Sequence, residues 1–274
     1  MIKTESLFSV RHKTAVITGG TGVLGGAMAN GLADAEANVV ILGRKKEVGE
    51  KLVNSIKARG GKALFVQADV LNAAELVAAN DKILAEFGAI DILINAAGGN
   101  LPGAIITPDQ NFFDLNLSEF EKVVDLNLTG TVLPTKIFCA DMAKRKNGVI
   151  INIASMASYR PITRVVGYSA AKSAVNNFTQ WLAVEMAKKF GEGIRVNAIA
   201  PGFFLTEQNR NLLTNSDGSY TARGEAAIKQ TPFDRFGSPD ELVGTLLWLC
   251  SDASKFVTGV TVPVDGGFTV FCGV

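Results

Sequence analysis

Seven short runs of almost unbroken apolar residues recur along this chain, and they constrain its fold more than any other feature. The runs lie at 14–18, 38–42, 63–67, 90–95, 149–154, 194–200 and 260–264. A strand that faces solvent on one side alternates apolar and polar residues, whereas a strand of a parallel sheet is covered on both faces and reads as a continuous apolar run. The sequence therefore predicts seven parallel strands.

Stretches with helical spacing separate these runs. The apolar positions of the segment 72–87 share one face of a helix: Leu76, Ala79, Ile83 and Phe87. Strands that alternate with helices form right-handed crossovers, which cover both sides of one sheet and leave ligands at the carboxyl ends of the strands. We predict an α/β protein, a single doubly wound Rossmann domain with a seven-stranded parallel sheet and helices on both faces.

The 274 residues suit one domain, which we place at 1–274, because no linker, repeat or low-complexity segment interrupts them. Two segments are too long for tight connections and carry Gly, Pro, Asn and aromatic residues. We expect a specificity loop near 99–118 and a lid near 203–238, since long loops at the ligand end of such a sheet are usually functional. The alternative is a pair of solvated excursions or an oligomer contact.

Composition excludes several classes of partner. With 27 basic and 26 acidic residues the net charge is +1, so no long-range field favours nucleic acid or an anionic membrane. No apolar run reaches the length of a spanning helix, and the N-terminus does not read as a secretory signal, so we expect a cytoplasmic protein. Three distant cysteines (Cys139, Cys250 and Cys272) and one histidine (His12) favour neither a disulfide framework nor a metal site.

A glycine-rich turn follows the first predicted strand. Gly20, Gly22 and Gly25 fit the pattern G-x-G-x-x-G between a strand and a helix. Glycine there lets the backbone approach a pyrophosphate at the helix N-terminus. The pattern indicates a dinucleotide site, and the alternative is a turn that only packs the helix on the sheet.

The end of the second strand bears on the choice of dinucleotide. NAD sites normally carry an acid about 20 residues after the glycine loop, for the ribose 2′-hydroxyl, but this chain has Gly43-Arg44 there. Arg44 could receive the 2′-phosphate of NADP. The sequence predicts NAD(P) with a slight lean toward NADP, while a basic run at a strand end is also typical of a solvated helix start.

One tyrosine has a lysine four residues on. On a helix, Tyr168 and Lys172 share a face, where the ammonium can stabilise the phenolate and make the phenol a usable acid or base. Ser155 stands thirteen residues earlier, at the end of a predicted strand, where its hydroxyl can bond the developing charge on a substrate oxygen. Taken alone, the Tyr-Lys pair is equally typical of an exposed helix pair.

The glycine loop, Ser155, Tyr168 and Lys172 stand at the places expected for the short-chain dehydrogenase/reductase family, which this sequence resembles over nearly the whole chain. The segment 18–25 is similar to the family's T-G-x-x-x-G-x-G, with Val23 where glycine is usual. The other matching motifs are Asp69-Val70, similar to an adenine-contacting pair, Asn95-Ala96-Ala97-Gly98, similar to N-[NA]-A-G, and Pro201-Gly202 with Thr206, similar to the segment beside the nicotinamide carboxamide. Taken singly, each motif is also typical of residues that only satisfy backbone hydrogen bonds, cap a loop or end a strand.

The resemblance implies a set of residues that contact the cofactor: Gly19, Thr21, Gly22, Val23, Leu24, Arg44, Asp69, Val70, Asn95, Ala96, Ala97, Tyr168, Lys172, Pro201, Gly202 and Thr206. It also implies the reaction, a hydride transfer between nicotinamide and a carbinol carbon that needs no metal. Tyr168 would exchange the proton on the substrate oxygen and Ser155 would orient that oxygen. Lys172 would lower the pKa of Tyr168 and bind the nicotinamide ribose, and Asn127 would hold a water of the proton relay.

Four segments (95–102, 155–164, 198–213 and 264–274) resemble one branch of the family, the D-mannonate oxidoreductases, also called D-fructuronate reductases. The branch implies a sugar-acid substrate. The side chains that could bind its hydroxyls and carboxylate are Asn100, Arg164, Gln208, Asn209 and Arg210. Arg164 and Arg210 are equally typical of surface or intersubunit ion pairs.

Other functions stay open at this point. Within enzymes, the alternative is a reductase of another sugar, a keto-gluconate or a polyol. From another class, the alternative is a non-catalytic dinucleotide-binding subunit, which the intact Ser155, Tyr168 and Lys172 disfavour.

The resemblance and two apolar helix faces predict a homotetramer, or at least a dimer. The faces belong to helices at 118–146 and 167–189, and the second carries Val175, Phe178, Trp181, Leu182 and Met186. This is more apolar surface than one sheet face needs to cover. The alternative is that all of it packs inside one subunit.

Overall fold

The computed structural model describes residues 4–206 and 209–273, in which seven strands form one sheet. The strands are β1 (Thr14–Thr18), β2 (Asn38–Gly43), β3 (Lys62–Gln67), β4 (Ile92–Asn95), β5 (Gly148–Ile153), β6 (Ile194–Pro201) and β7 (Thr261–Val264). Their order across the sheet is β3-β2-β1-β4-β5-β6-β7, and every neighbouring pair is parallel. The predicted all-parallel sheet is confirmed, with strand ends shifted by at most two residues.

Continuous burial explains the continuous apolar runs. Every residue of β1, β4, β5 and β6 is buried, as expected for strands covered on both faces. The edge strands differ, because β3 and β7 each lack a neighbour on one side and keep exposed positions.

Ten α-helices connect and cover the strands in the described residues. They are α1 (Thr4–Leu7), α2 (Val23–Asp34), α3 (Lys46–Ala58), α4 (Ala73–Phe87), α5 (Leu117–Val124), α6 (Gly130–Arg145), α7 (Val166–Phe190), α8 (Arg210–Leu213), α9 (Ala222–Lys229) and α10 (Glu241–Cys250). The predicted helix over 72–87 is confirmed: Asn72 caps it, and Leu76, Ala79 and Ile83 are buried.

The helices form two cores, one on each face of the sheet. Residues of α2, α3 and α10 pack on one face, and residues of α4, α6 and α7 pack on the other. This arrangement is the doubly wound architecture that the sequence predicts. No helix among residues 4–206 and 209–273 is long and apolar enough to cross a membrane.

The helix expected over 118–146 is not regular. Between α5 and α6 lies a π-helical turn, Asp125–Thr129. Two features interrupt the regular α-helical hydrogen bonds here. The Thr131 hydroxyl donates to the Asn127 carbonyl at 2.8 Å. Pro134 has no amide hydrogen to donate to the carbonyl of Gly130. The wider turn places Asn127 in the interior.

Most of the apolar face expected on α7 packs inside the subunit. Val175 and Leu182 are buried, and Phe178 and Met186 lie against the core that contains α4 and α6. Trp181 remains exposed. The apolar surface available for an oligomer contact on α7 is therefore smaller than the sequence suggests.

The two long segments are partly structured. The segment 99–118 contains two 3-10 turns, Pro102–Ala104 and Phe112–Asp114. The segment 203–238 contains α8 and α9, and its ends are joined because the Gly237 amide donates to the Phe203 carbonyl at 2.9 Å. Both segments follow carboxyl ends of strands, β4 and β6.

The sheet reverses its winding direction at β1, which pairs with β2 on one side and β4 on the other. Thr18 and Asn95, the last residues of β1 and β4, are register partners. A crevice at such a reversal is where doubly wound folds bind ligands.

Candidate active site

The glycine turn after β1 lies directly against the end of β4. Gly19 has a φ of 64°, and a Cβ there would lie 2.7 Å from the backbone of Ala97. The Thr18 hydroxyl accepts hydrogen bonds from the amides of Ala96 and Ala97, both at 3.2 Å. Only glycine fits this close approach of two backbones.

The turn leads into the open N-terminus of α2. Gly22 is the N-cap residue, without a side-chain cap, and the first turn carries no acid. The first amides of a helix have no intrahelical partner, and the helix dipole favours negative charge there. The turn therefore fits the pyrophosphate of a dinucleotide, with Thr21, Val23 and Leu24 beside it.

The ends of β2 and β3 bring Arg44 and Asp69 together. Gly43 is the register partner of Gln67, and the Arg44 guanidinium lies 3.7 Å from an Asp69 carboxylate oxygen. Arg44 is largely exposed. Next to them, Val70 is buried. These residues form the end of the crevice where the adenosine of a dinucleotide would lie.

Asn95 belongs to a row of buried amides and hydroxyls behind the crevice. Its Nδ2 donates to the Thr135 hydroxyl at 2.8 Å and to Asn152 Oδ1 at 2.9 Å. Asn152 in turn donates to the Thr179 hydroxyl at 2.9 Å, and Thr135 donates to the Thr131 carbonyl at 2.7 Å. The row ties β4 and β5 to α6 and α7.

Ser155, Tyr168 and Lys172 meet at the carboxyl end of β5. Ser155 caps a 3-10 turn, where its Oγ accepts the Ala157 amide at 3.1 Å. Tyr168 lies in the first turn of α7, where the Ser155 side chain acts on the pKa of its phenol. One helical turn later the buried Lys172 donates from Nζ to the Ile153 carbonyl at 2.7 Å, with Nζ 5.6 Å from the centroid of the Tyr168 ring.

Burial sets the protonation of this group. Desolvation raises the pKa of the Tyr168 phenol, and the hydrogen bond with Ser155 partly opposes the rise. Desolvation lowers the pKa of Lys172 to about 8. Of the two effects on Tyr168, burial is the larger, so the pKa of its phenol is raised overall. The phenol holds its proton at neutral pH.

Asn127 holds the segment after β4 against this group. Its Nδ2 donates to the Gly99 and Val123 carbonyls at 2.7 and 2.8 Å, and its Oδ1 accepts the Gly99 amide at 3.1 Å. A Cβ on Gly98 would lie 2.6 Å from Asn127 Oδ1 and 3.2 Å from Lys172 Nζ. Gly98 thus separates the two side chains. Gly98 belongs to the motif Asn95-Ala96-Ala97-Gly98, but the sequence did not predict its close approach to Asn127 and Lys172.

The segment after β6 is held by its own polar groups. Gly202 follows the buried Pro201, the last residue of β6. The Gly202 amide donates to the Val264 carbonyl at 2.9 Å. Asn209 Oδ1 accepts the Thr206 amide and its Nδ2 donates to the Phe204 carbonyl, both at 2.8 Å. The side chain of Asn209 is therefore engaged in holding Thr206.

The other residues expected to bind substrate differ in setting. Asn100 Oδ1 is buried and has no hydrogen-bond partner among residues 4–206 and 209–273. Arg164 is exposed with a φ of 74°, and Arg210 is exposed at the start of α8. Gln208 lies outside the described residues. Asn100 thus offers an unused acceptor.

One basic residue close to Arg164 was not predicted. Arg223 lies in the first turn of α9, and the positive charge of Arg164 helps to lower its pKa. Arg223 is the single basic residue of 211–228, which is a signal in the sequence. Nothing in the sequence, however, places it near Arg164.

Comparisons with known proteins show which family the chain belongs to. A family model described as short chain dehydrogenase matches residues 13–217. An uncharacterized oxidoreductase of Bacillus subtilis, UxuB, is 50% identical over 271 residues, covering 96% of each chain.

Two solved structures are similar throughout. A Haemophilus influenzae protein with bound NAD, provisionally assigned as a D-mannonate oxidoreductase, is 42% identical with a TM-score of 0.90, covering 97% of this chain and 98% of that one. A gluconate 5-dehydrogenase of Burkholderia cenocepacia, in complex with NADP and tartrate, is 33% identical with a TM-score of 0.87, covering 98% and 100%.

Proposed function

The chain belongs to the short-chain dehydrogenase family, and from that premise we propose that it reduces D-fructuronate to D-mannonate, or runs the reverse reaction, with NAD(P). As a member of the family it is an oxidoreductase that acts on CH–OH groups. The observation that carries the proposal is the meeting of Ser155, Tyr168 and the buried Lys172, with Lys172 Nζ 5.6 Å from the centroid of the Tyr168 ring, at the end of the sheet where the glycine turn lies.

The chain's own residues supply position and proton transfer. The dinucleotide, when bound, supplies or accepts the hydride. In reduction, Tyr168 gives its proton to the substrate oxygen, and Ser155 hydrogen-bonds the same oxygen as its charge develops. Lys172 binds the nicotinamide ribose, and Asn127 keeps the segment 98–99 beside Lys172. We also propose that Asn127 holds a water of the proton relay through Lys172.

The remaining cofactor contacts follow the crevice. Gly19, Thr21, Gly22, Val23 and Leu24 surround the pyrophosphate, and Arg44, Asp69 and Val70 surround the adenosine. Asn95, Ala96, Ala97, Pro201, Gly202 and Thr206 complete the set toward the nicotinamide. The similar structures hold NAD in one case and NADP in the other, and the exposed Arg44 supports our slight lean toward NADP.

A polyhydroxy acid suits the polar groups that the segments near Ser155 and Tyr168 offer. Asn100 has a buried acceptor that has no partner among residues 4–206 and 209–273, and we propose that a substrate hydroxyl satisfies it. Arg164 and Arg210 offer guanidinium groups for a carboxylate. The segment 99–118 serves as the specificity loop and 203–238 as the lid of a single domain over 1–274. The provisional name of the Haemophilus influenzae protein favours D-mannonate.

A second substrate has support of its own. The Burkholderia cenocepacia structure is a gluconate 5-dehydrogenase, so a keto-gluconate is the alternative sugar acid. The intact Ser155, Tyr168 and Lys172 argue against a non-catalytic subunit. We further propose a cytoplasmic homotetramer.

The decisive experiment compares D-fructuronate with D-fructose in the reductive direction, with both NADH and NADPH. We expect the sugar acid to have the higher kcat/KM by about 10- to 100-fold, because a charge-assisted hydrogen bond contributes about 1.5–3 kcal/mol. Tyr168→Phe, which lacks the proton donor but keeps the ring, is the control and should lose nearly all turnover while retaining cofactor binding. Equal efficiency on the two sugars would remove the sugar-acid assignment.

A further inference from the structure

The segment 265–273, which follows β7, folds back on itself through its own hydrogen bonds. The Asp265 carboxylate accepts the amides of Gly267 and Thr269 at 2.9 and 2.8 Å. The Gly267 carbonyl accepts the Phe271 amide at 3.1 Å. These bonds form a series of tight turns instead of an extended arm. The segment therefore has a defined shape to which other parts of the molecule can be fixed.

Both ends of the proposed lid, 203–238, contact this segment. At the start of the lid, the rings of Phe203 and Phe268 meet edge to face with their centroids 5.4 Å apart. Towards its end, the Phe233 amide donates to the Gly266 carbonyl at 3.2 Å. The position of the lid on the enzyme thus depends on the position of the segment 265–273.

The same segment is bonded to the turn that carries Ser155. Arg160 donates from Nη1 to the Phe271 carbonyl at 2.6 Å, and the two residues are 111 positions apart in the chain. The Arg160 amide donates to the carbonyl of Met156, the residue after Ser155, at 3.1 Å. One side chain therefore joins the turn at Ser155 to the segment that contacts the lid.

Packing alone does not fix the lid at this junction. A cavity of about 410 Å³ lies between the ends of the lid and the start of the segment, and Phe203, Phe233 and Asp265 are among the residues that line it. Side chains beside a void lack contact atoms on that side, so they can shift at small cost. The directional hydrogen bonds of Arg160 and Gly266 therefore hold the lid more firmly than packing does.

We propose that Arg160 is a positioning residue, which holds the lid relative to the turn at Ser155 through its bond to the segment 265–273. The inference rests on the proposed function, because the lid is assigned there. Arg160 acts through the lid and touches neither substrate nor cofactor. A guanidinium suits this role, since its charge strengthens a hydrogen bond to a carbonyl.

The first test separates KM from kcat. Arg160→Gln should raise KM for D-fructuronate by about 5- to 20-fold and lower kcat by less than about threefold, because the lid is displaced while Tyr168 and Lys172 keep their surroundings. The dissociation constant of NADPH, measured by fluorescence, should change by less than about twofold, since the glycine turn lies on other strands. Arg160→Lys keeps a charged donor and should recover part of the loss in KM.

Tyr159→Phe is the matched control. It removes the bond of the neighbouring side chain, from Tyr159 Oη to the Thr261 carbonyl at 2.8 Å, which leads to β7 and not to the segment 265–273. We expect KM to change by less than about twofold in this variant. An equal rise in KM in Tyr159→Phe, or a loss confined to kcat in Arg160→Gln, would overturn the proposal.

A double variant tests whether the effect passes through the segment. Phe268→Ala removes the ring contact with Phe203 and should raise KM as Arg160→Gln does. Because both changes break one connection, the double variant should lose less than the product of the two single losses. Losses that multiply fully would show that the two residues act independently and would contradict this connection.

The last test does not depend on turnover. Hydrogen-exchange mass spectrometry should show faster exchange in the lid peptides of Arg160→Gln, including the Gly237 amide that donates to the Phe203 carbonyl, with no change in β1. If the wild-type protein does not reduce D-fructuronate but lid exchange rises in the variant, the role of Arg160 stands and the proposed function fails. If D-fructuronate is reduced and neither KM nor lid exchange changes in Arg160→Gln, the function stands and the role of Arg160 fails.

Discussion

At the scale of single residues, burial acts in opposite directions on the two titratable groups beside Ser155. It raises the pKa of Tyr168 and lowers that of Lys172 to about 8. Tyr168 therefore stays protonated at neutral pH, which suits a proton donor in reduction. Lys172 stays charged below its pKa and becomes neutral above it, so the bond that we propose it makes to the cofactor ribose should weaken as the pH rises.

These directions predict a pH profile. We expect kcat/KM for reduction to be level near neutral pH and to fall above about pH 8, where Lys172 loses its proton. Lys172→Arg keeps a charge over this range, so the fall should be absent from its residual activity. Steady-state rates between pH 6 and 10, about the range spanned by these groups, test this. A wild-type reductive profile that rises through pH 8 would contradict the assignment.

Gly98 provides a second residue-scale prediction. Gly98→Ala places a methyl group 2.6 Å from Asn127 Oδ1 and 3.2 Å from Lys172 Nζ, so one of these side chains must move. We expect kcat to fall at least about tenfold, because a small displacement in an active site is costly. Gly244→Ala, on α10 with nothing within 4 Å of the new Cβ, is the control. Wild-type kcat in Gly98→Ala would show that the contact is not needed.

At the scale of elements, the buried row of amides and hydroxyls joins the centre of the sheet to two helices. The Thr135 hydroxyl accepts from Asn95 and donates to the Thr131 carbonyl. Asn95 Oδ1 already lacks a partner in the described residues, so the row has little spare hydrogen bonding. It couples β4 to α6, and thereby to the π-helical turn that holds Asn127.

Thr135→Val removes the hydroxyl at nearly constant volume. We expect a loss of about 1–3 kcal/mol in the free energy of unfolding, because a buried amide and a carbonyl lose their partner. Thr163→Val, at an exposed position without a side-chain hydrogen bond in the described residues, should change stability by less than about 0.5 kcal/mol. Urea unfolding of both variants measures the difference, and equal stability of the two would contradict this role for the row.

At the scale of the whole molecule, the exposed part of α7 bears on assembly. Trp181 and Val184 are 60% and 56% exposed and lie three residues apart on one helix face. Burial of two such side chains favours association. Of the apolar face that the sequence assigns to an oligomer contact, Trp181 remains exposed, and Val184 lies beside it.

We expect light scattering to give a mass about four times that of the 28.9 kDa chain. Trp181→Glu should lower the mass, since it would place a charge in the contact. Phe256→Glu replaces an aromatic residue that is fully exposed and should leave the mass unchanged. A wild-type mass near that of one chain at micromolar concentration would refute the oligomer.

The sequence by itself determined the architecture and the order of the site residues. Apolar runs covered on both faces can only be strands of a central parallel sheet, and local spacing puts Tyr168 and Lys172 on one face of α7. The glycine turn is likewise a local pattern, because the backbone conformation that requires glycine is formed within a few residues of the chain. Periodicity and short spacings carry this information because they act between near neighbours in the chain.

Only the tertiary structure decided the features that depend on distant segments. The π-helical turn at Asn127 and the close approach of Gly98 to Lys172 have no signature in periodicity. Nor does the direction of the Tyr168 pKa shift, which depends on how much protein surrounds the phenol. Arg164 lies in a loop and Arg223 in the first turn of α9, and no repeating pattern in the sequence relates the two positions.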